Sequence, residues 1–239
     1  MLPTPLSPHR SLLPHLLLLT ALMTACQTTS QIDPTEIDHL IDEVPSNARS
    51  LFSGDFQQGW RERPELKFMP AHARLYAGEE AFHVVALLAD RAIGNTASGF
   101  NQRTWQSGDV FEIFLQTDSD TYYEFHVTPE NQHLFLAWTS ELFEAVVTKQ
   151  ATLEDAMIDD PNLLQSKTDV RPDENLWIVR ADIPYASIGF DPAAEHPDLK
   201  VAFARYDTTP GSKDEVLSAT APFPKPSYHY RDAWHRIAW

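Results

Sequence analysis

Glu112, Glu124 and His126 are the side chains through which this chain could do chemistry. Two carboxylates and an imidazole on one surface can bind hydroxyl groups, share protons or hold an ion. Whether they meet depends on the stretch that carries them, TWQSGDVFEIFLQTDSDTYYEFHVTPENQHLFLAW, residues 104–138. It reads as three antiparallel strands, 109–116, 121–128 and 132–138, joined by short connections rich in turn formers. Phe111, Ile113 and Leu115 alternate with Val110, Glu112, Phe114 and Gln116, and Tyr123, Phe125 and Val127 with Tyr122, Glu124, His126 and Thr128. Such alternation marks strands with one face on a core.

The same pattern sets the register. Both apolar sets share the core face only if Glu112 lies opposite Glu124 or opposite His126. A slip of one residue would push Glu124 and His126 inward, at the cost of burying them without partners. The other face then gathers Glu112, Phe114, Tyr122, Glu124, His126 and Thr128, and is expected to meet solvent and a ligand.

Two carboxylates on neighbouring strands could approach the roughly 5 Å separation of a retaining glycosidase pair. An exposed pair without a deep pocket has no reason for a raised pKa, so the expectation is ligand hydrogen bonding and no catalysis. His126 and His133 fall on opposite faces of adjacent strands and are not expected to share a metal. Asp118 and Asp120 at a hairpin tip could hold a structural calcium. No G-x-S-x-G elbow, H-E-x-x-H helix or C-x-x-C-H haem site occurs, and eight glycines in all argue against a phosphate cradle.

Positioning these residues falls to the rest of the chain. Residues 91–108 form a long polar loop ending near Trp105, and loops of that length inside a compact domain are often functional. Trp105 is thus a contact residue or a lid on the core; pattern alone leaves both open. Further strands are expected at 72–76, 81–90, 142–148, 176–183, 200–206 and 215–220. Residues 52–70 read as irregular, 159–172 as polar loop, and 210–211 as a turn. Capping boxes start short helices at Asp33 and Thr152. One core, nine or ten strands and few helices indicate an all-β antiparallel sandwich over 51–239.

The chain has 239 residues, a formal charge of −16 and a sequence pI near 4.9. An acidic surface repels nucleic acid and anionic lipid. Residues 1–25 read as an export signal, because the apolar run is too short for a permanent span. Leu22-Met23-Thr24-Ala25-Cys26 resembles a bacterial lipoprotein signal, with Cys26, the only cysteine, as the lipidated residue. The expectation is an exported chain held at the cell envelope by a lipid anchor alone, with 26–50 as tether and short helix.

Three motifs carry a further resemblance: W-x-x-G-D-V-F-E-I-F-L from Trp105, Y-Y-E-F-H-V-T-P-E-N from Tyr122, and L-W-I-V-R-A-D-I-P from Leu176. With Tyr228-His229 and Trp234 in the tail, they resemble the family 9 carbohydrate-binding modules and their bacterial relatives over most of 71–239. The resemblance implies a jelly-roll or immunoglobulin-like sandwich of DOMON-like type that binds sugar without catalysis. In sugar-binding members two tryptophans clamp a terminal sugar, and a Glu, an Arg and an Asn bond its hydroxyls. Trp105 matches the first ring and Glu112 the glutamate. His126 stands at the arginine and Thr128 at the asparagine, and Tyr228 or Tyr230 at the second ring. Implied partners are mono- or oligosaccharides and polysaccharide ends, in polysaccharide catabolism. Alternative readings are a DOMON-type haem or redox domain, using Met69 and a histidine such as His126, and a ligand-free scaffold lipoprotein.

Overall fold

A computed structural model describes residues 44–117, 119–194, 198–209 and 214–239. The predicted Asp33 helix, Cys26, Asp118 and the 210–211 turn lie outside those residues. Eleven strands are seen among the described residues. They are β1 (Arg49–Asp55), β2 (Ala71–Ala77), β3 (Ala81–Ala89), β4 (Val110–Gln116), β5 (Tyr122–Val127) and β6 (His133–Trp138), followed by β7 (Gln165–Arg171), β8 (Leu176–Pro184), β9 (Leu199–Thr208), β10 (Glu215–Ala219) and β11 (His235–Ile237). They form two antiparallel sheets, one ordered β1-β2-β3-β8-β7 and the other β10-β9-β4-β5-β6. The short β11 pairs with the first residues of β9, beyond the stretch that β10 covers on the same edge. The chain is an all-β sandwich.

The core lies between the sheets, where Leu75, Phe82, Val84 and Trp177 meet Phe111, Ile113, Phe125, Phe135 and Phe203. Burial of these side chains is the main term holding the layers together. Phe111 pairs with Val127 and Glu112 with His126, the second of the two registers the alternation allows. At one end, Arg205 of β9 reaches across the layers to Asp90, just past β3, at 2.8 Å, and both are buried.

Three expectations fail. Residues 142–148 are not a strand but part of helix α1 (Ser140–Val147). Thr139 caps it by accepting the Leu142 N–H, and Leu142, Phe143 and Val146 fall on one helical face, a period-3.6 pattern that the neighbouring apolar residues disguise. Residues 49–55 and 165–171 are edge strands where irregular chain and loop were expected. Edge strands bury little, so QSKTDVR carries no apolar alternation to reveal it.

The third failure concerns the outer face of the second sheet, expected to meet solvent. It is roofed instead. Phe223, Tyr228 and Trp234 of the tail pack on Phe114, Tyr122, Ala202 and Ala204, while Leu142, Phe143 and Val146 of α1 close another side. The roof exists because Phe114, Tyr122, Leu134, Leu136 and Trp138 make this face too apolar to leave wet. Asp120 ties the roof down: its carboxylate accepts from Ser140 N at 3.0 Å, Ser140 Oγ at 2.9 Å and the Arg231 guanidinium at 3.1 Å. That side chain therefore serves as a latch between hairpin, helix and tail.

Candidate functional site

The roof is incomplete over β4 and β5, leaving a cavity of about 310 Å³. Its floor is Glu112, Glu124 and His126; its walls include Trp105, Trp138, Phe143, Tyr206, Tyr228 and His229. Trp105 arrives on a 3-10 turn (Thr104–Gln106) at the end of the long loop. The loop is fixed from behind. Asn95 Nδ2 donates to the Thr104 and Asp109 carbonyls at 2.9 and 3.0 Å, and the Asp109 carboxylate accepts from Gly94 N and Thr208 N, each at 2.8 Å. Gly108 adopts φ +146°, and a Cβ there would stand 2.2 Å from the Gly94 carbonyl oxygen. Only glycine fits.

On the floor, His126 Nε2 lies 2.7 Å from Glu124 Oε1 and 3.2 Å from Glu112 Oε1. The other ring nitrogen, Nδ1, is 2.7 Å from Thr104 Oγ1, so the loop that carries Trp105 also orients the imidazole. Trp138 Nε1 donates to Glu124 Oε2 at 2.7 Å, and His229 Nε2 is 3.9 Å from that same oxygen. Glu112 Oε2 has no hydrogen-bond partner and is shielded from water.

These carboxylates are not the exposed pair expected from sequence. Glu112 is 2% exposed, and burial, reinforced by Glu124 and opposed by His126, pushes its pKa up to about 8. Burial pushes Glu124 up as well, but His229, His126 and the Trp138 N–H together hold it below the usual carboxylate range. For His126 burial alone would depress the pKa, and the carboxylates of Glu112 and Glu124 reverse the sign and raise it. His229 is lowered by burial. Burial and neighbouring charges thus push the two carboxylates of one face in opposite directions, Glu112 up and Glu124 down, with His126 raised between them.

Of the residues singled out in the sequence, Trp105, Glu112, Glu124, His126 and Tyr228 line this one cavity. The Tyr228 hydroxyl donates to the Arg205 carbonyl at 2.9 Å, so its proton is already committed. Thr128 and Tyr230 do not line it. Thr128 is fully buried, its Oγ1 accepting from Gln132 N at 3.1 Å to close the β5–β6 turn. Tyr230 is 45% exposed, outside the cavity. Nor does Met69 line it, so the cavity does not bring together the pair weighed for haem. His126 shares the face of Leu134 and His133 that of Val127, on opposite sides of the sheet.

Sequence reasoning missed Tyr206, Trp138 and Phe143 as wall residues. Tyr206 follows Phe203 at a spacing that puts it on the outer face with Ala202 and Ala204, a signal the alternation of β9 does carry. Phe143 was hidden by reading its helix as a strand.

No family model matches the chain, and no curated protein matches it in sequence. Solved structures do. A candidate carbohydrate-binding protein from Bacteroides uniformis ATCC 8492 overlays with a TM-score of 0.57 at 13% identity, covering 89% of this chain and 94% of that one. Two structures of a family 9 carbohydrate-binding module from Caldicellulosiruptor kristjanssonii also match. The complex with cellotriose has a TM-score of 0.43 at 18% identity over 63% of this chain and 65% of that one, and the complex with glucose 0.46 at 14% over 70% and 75%. The chain has the two-sheet sandwich fold of the Bacteroides protein, the architecture to which the motif resemblance pointed.

Proposed function

We propose that the protein binds carbohydrate without catalysis, holding a small sugar in the cavity over Glu112. One observation carries the reading: aromatic walls, Trp105, Tyr206, Tyr228 and Phe143, stand over a floor of ionisable groups. Sugars present C–H-rich faces that pack on rings and a rim of hydroxyls that charged groups bond well. At about 310 Å³ the cavity is at the lower end of ligand pockets, which suits one or two sugar rings rather than a long chain. The description of the structural neighbour as a candidate carbohydrate-binding protein agrees with the motif resemblance.

Two carboxylates at a sugar site raise hydrolysis as an alternative. In a retaining pair the scissile bond sits between the carboxyl groups. Here the His126 imidazole occupies that space, in contact with both. The pair therefore serves recognition. We place the protein at the cell envelope, anchored through lipidated Cys26, where the bound sugar would be a polysaccharide end or a fragment awaiting uptake.

Calorimetry against a panel of mono- and oligosaccharides tests this reading, with Trp105→Ala as the comparison protein. Heat with at least one sugar, with affinity lowered by about tenfold or more in Trp105→Ala, is expected. A silent panel, or equal heats for both proteins, would overturn it. Reducing-end release by the wild type, absent in Glu112→Gln, would replace binding with catalysis.

A further inference from the structure

Glu112, Glu124 and His126 also satisfy the geometry of a metal centre, and we infer that the cavity floor is a binding site for one divalent transition cation of the zinc class. Their donor atoms lie within 4.8 Å of one another, and all three residues are buried. The donors of a zinc ion, each about 2.0–2.2 Å from it, stand roughly 3–3.5 Å apart. His126 Nε2 is 2.7 Å and 3.2 Å from the two Oε1 atoms, so an ion replaces the shared proton with a small outward movement of Glu124.

The outer atoms are already arranged for ligation. Histidine ligands to metals generally donate their second N–H to a fixed acceptor, and ligating carboxylates are themselves hydrogen-bonded. His126 Nδ1 is held by Thr104 Oγ1 at 2.7 Å, and Glu124 Oε2 accepts from Trp138 Nε1 at 2.7 Å. These anchors come from the loop and from β6, so two further elements fix the ligands on their strands.

The independent sign of a ligand is Glu112 Oε2. It is a carboxylate oxygen with no partner, on a side chain only 2% exposed at the cavity floor, shielded from water. Burying such a group unsatisfied is costly, and a cation bound to this carboxylate offsets that cost. Charge agrees: two carboxylates and one imidazole leave a negative excess when the imidazole is neutral and ligating. Calcium fits poorly, since it takes six to eight oxygens and this floor offers a nitrogen and two carboxylates. With three protein ligands, the ion would keep open positions toward the cavity. The site does not require sugar to bind.

Full-length protein freed of metal by chelation and of any affinity tag is titrated with Zn²⁺ alone, and separately with Ca²⁺. The expected result is one Zn²⁺ per chain, a raised melting temperature with Zn²⁺ and none with Ca²⁺. Glu112→Gln and Glu124→Gln keep side-chain shape and are expected to weaken Zn²⁺ by at least about tenfold while remaining folded by circular dichroism. No stoichiometric uptake by the wild type would overturn the inference. So would uptake of equal affinity in both variants, which would mean surface histidines hold the ion. Either failure leaves the sugar panel unaffected, so the two readings fall separately.

Discussion

At the residue scale the cavity depends on a few side chains whose environments differ sharply. Trp105 is half-buried with its ring edge-on to His126 at 5.7 Å, and Tyr230 stands outside. Trp105→Ala is therefore expected to lower sugar affinity by about tenfold or more, because the sugar face no longer packs on an indole, and Tyr230→Ala to leave it unchanged. Calorimetry on both variants checks the assignment of the wall. Glu112 gives a pH prediction. The folded chain keeps its proton up to about pH 8, whereas the unfolded chain releases it near 4.5. Between those values the folded state binds more protons, so this group's contribution to stability declines as pH rises and is gone above pH 8. His126, raised, acts in the same direction, while His133 and His229, both lowered by burial, act in the other. The comparison that isolates Glu112 is Glu112→Gln in chelator-containing buffer. It should match the wild type near pH 5 and melt higher than the wild type at pH 9. A variant less stable at pH 9 would mean that the ionised carboxylate is well solvated or paired.

The loop before β4 and the roof over β5 decide, at the element scale, whether a cavity exists. The loop holds Trp105 only because Gly108 allows Gly94 to approach, so Gly108→Ala should displace the loop and cost both stability and sugar affinity. Urea unfolding and calorimetry read the two losses separately. Much of the site's first half was legible in the sequence for a physical reason. Strand alternation has period two, so Glu112, Glu124 and His126 had to share a face once the apolar residues were placed inward. What alternation cannot say is whether that face meets water. Tyr228 and Trp234 lie far along the chain and Phe143 only just past β6, and they reach the sheet through the tertiary packing of a tail and a short helix. Alternation alone therefore makes the face look open, the carboxylates exposed and their pKa values ordinary. The edge strands β1 and β7 escaped for the related reason that partial burial leaves no pattern.

Over the whole molecule, two layers are clamped at one end by a buried charge cluster. Arg205 of the second sheet meets Asp90 beside the first at 2.8 Å and Asp207 at 3.3 Å, with Asp109 in the same group. Burial and Asp90 raise Asp109 to about 8, and burial raises Asp207 to about 6, so the cluster is short of cations even with the arginine present. Arg205→Met would leave Asp90 and Asp207 without their cation. The expected cost is about 3–5 kcal/mol at neutral pH, shrinking in mild acid as the carboxyls take up protons. Chemical denaturation at pH 5 and pH 7.5 reads both values. Because the Arg205 carbonyl also holds the Tyr228 hydroxyl, the clamp and the cavity wall share a residue, and loosening one should loosen the other.

A sugar is expected to sit over Glu112, inside the sandwich's roofed face. A crystal structure of the protein soaked with its tightest-binding sugar tests it most directly. A ring against Trp105 is expected, with hydroxyl oxygens on Glu112 of the floor or His229 of the wall. Density for the sugar on the opposite sheet, or on the outside of the tail near Tyr230, would contradict it.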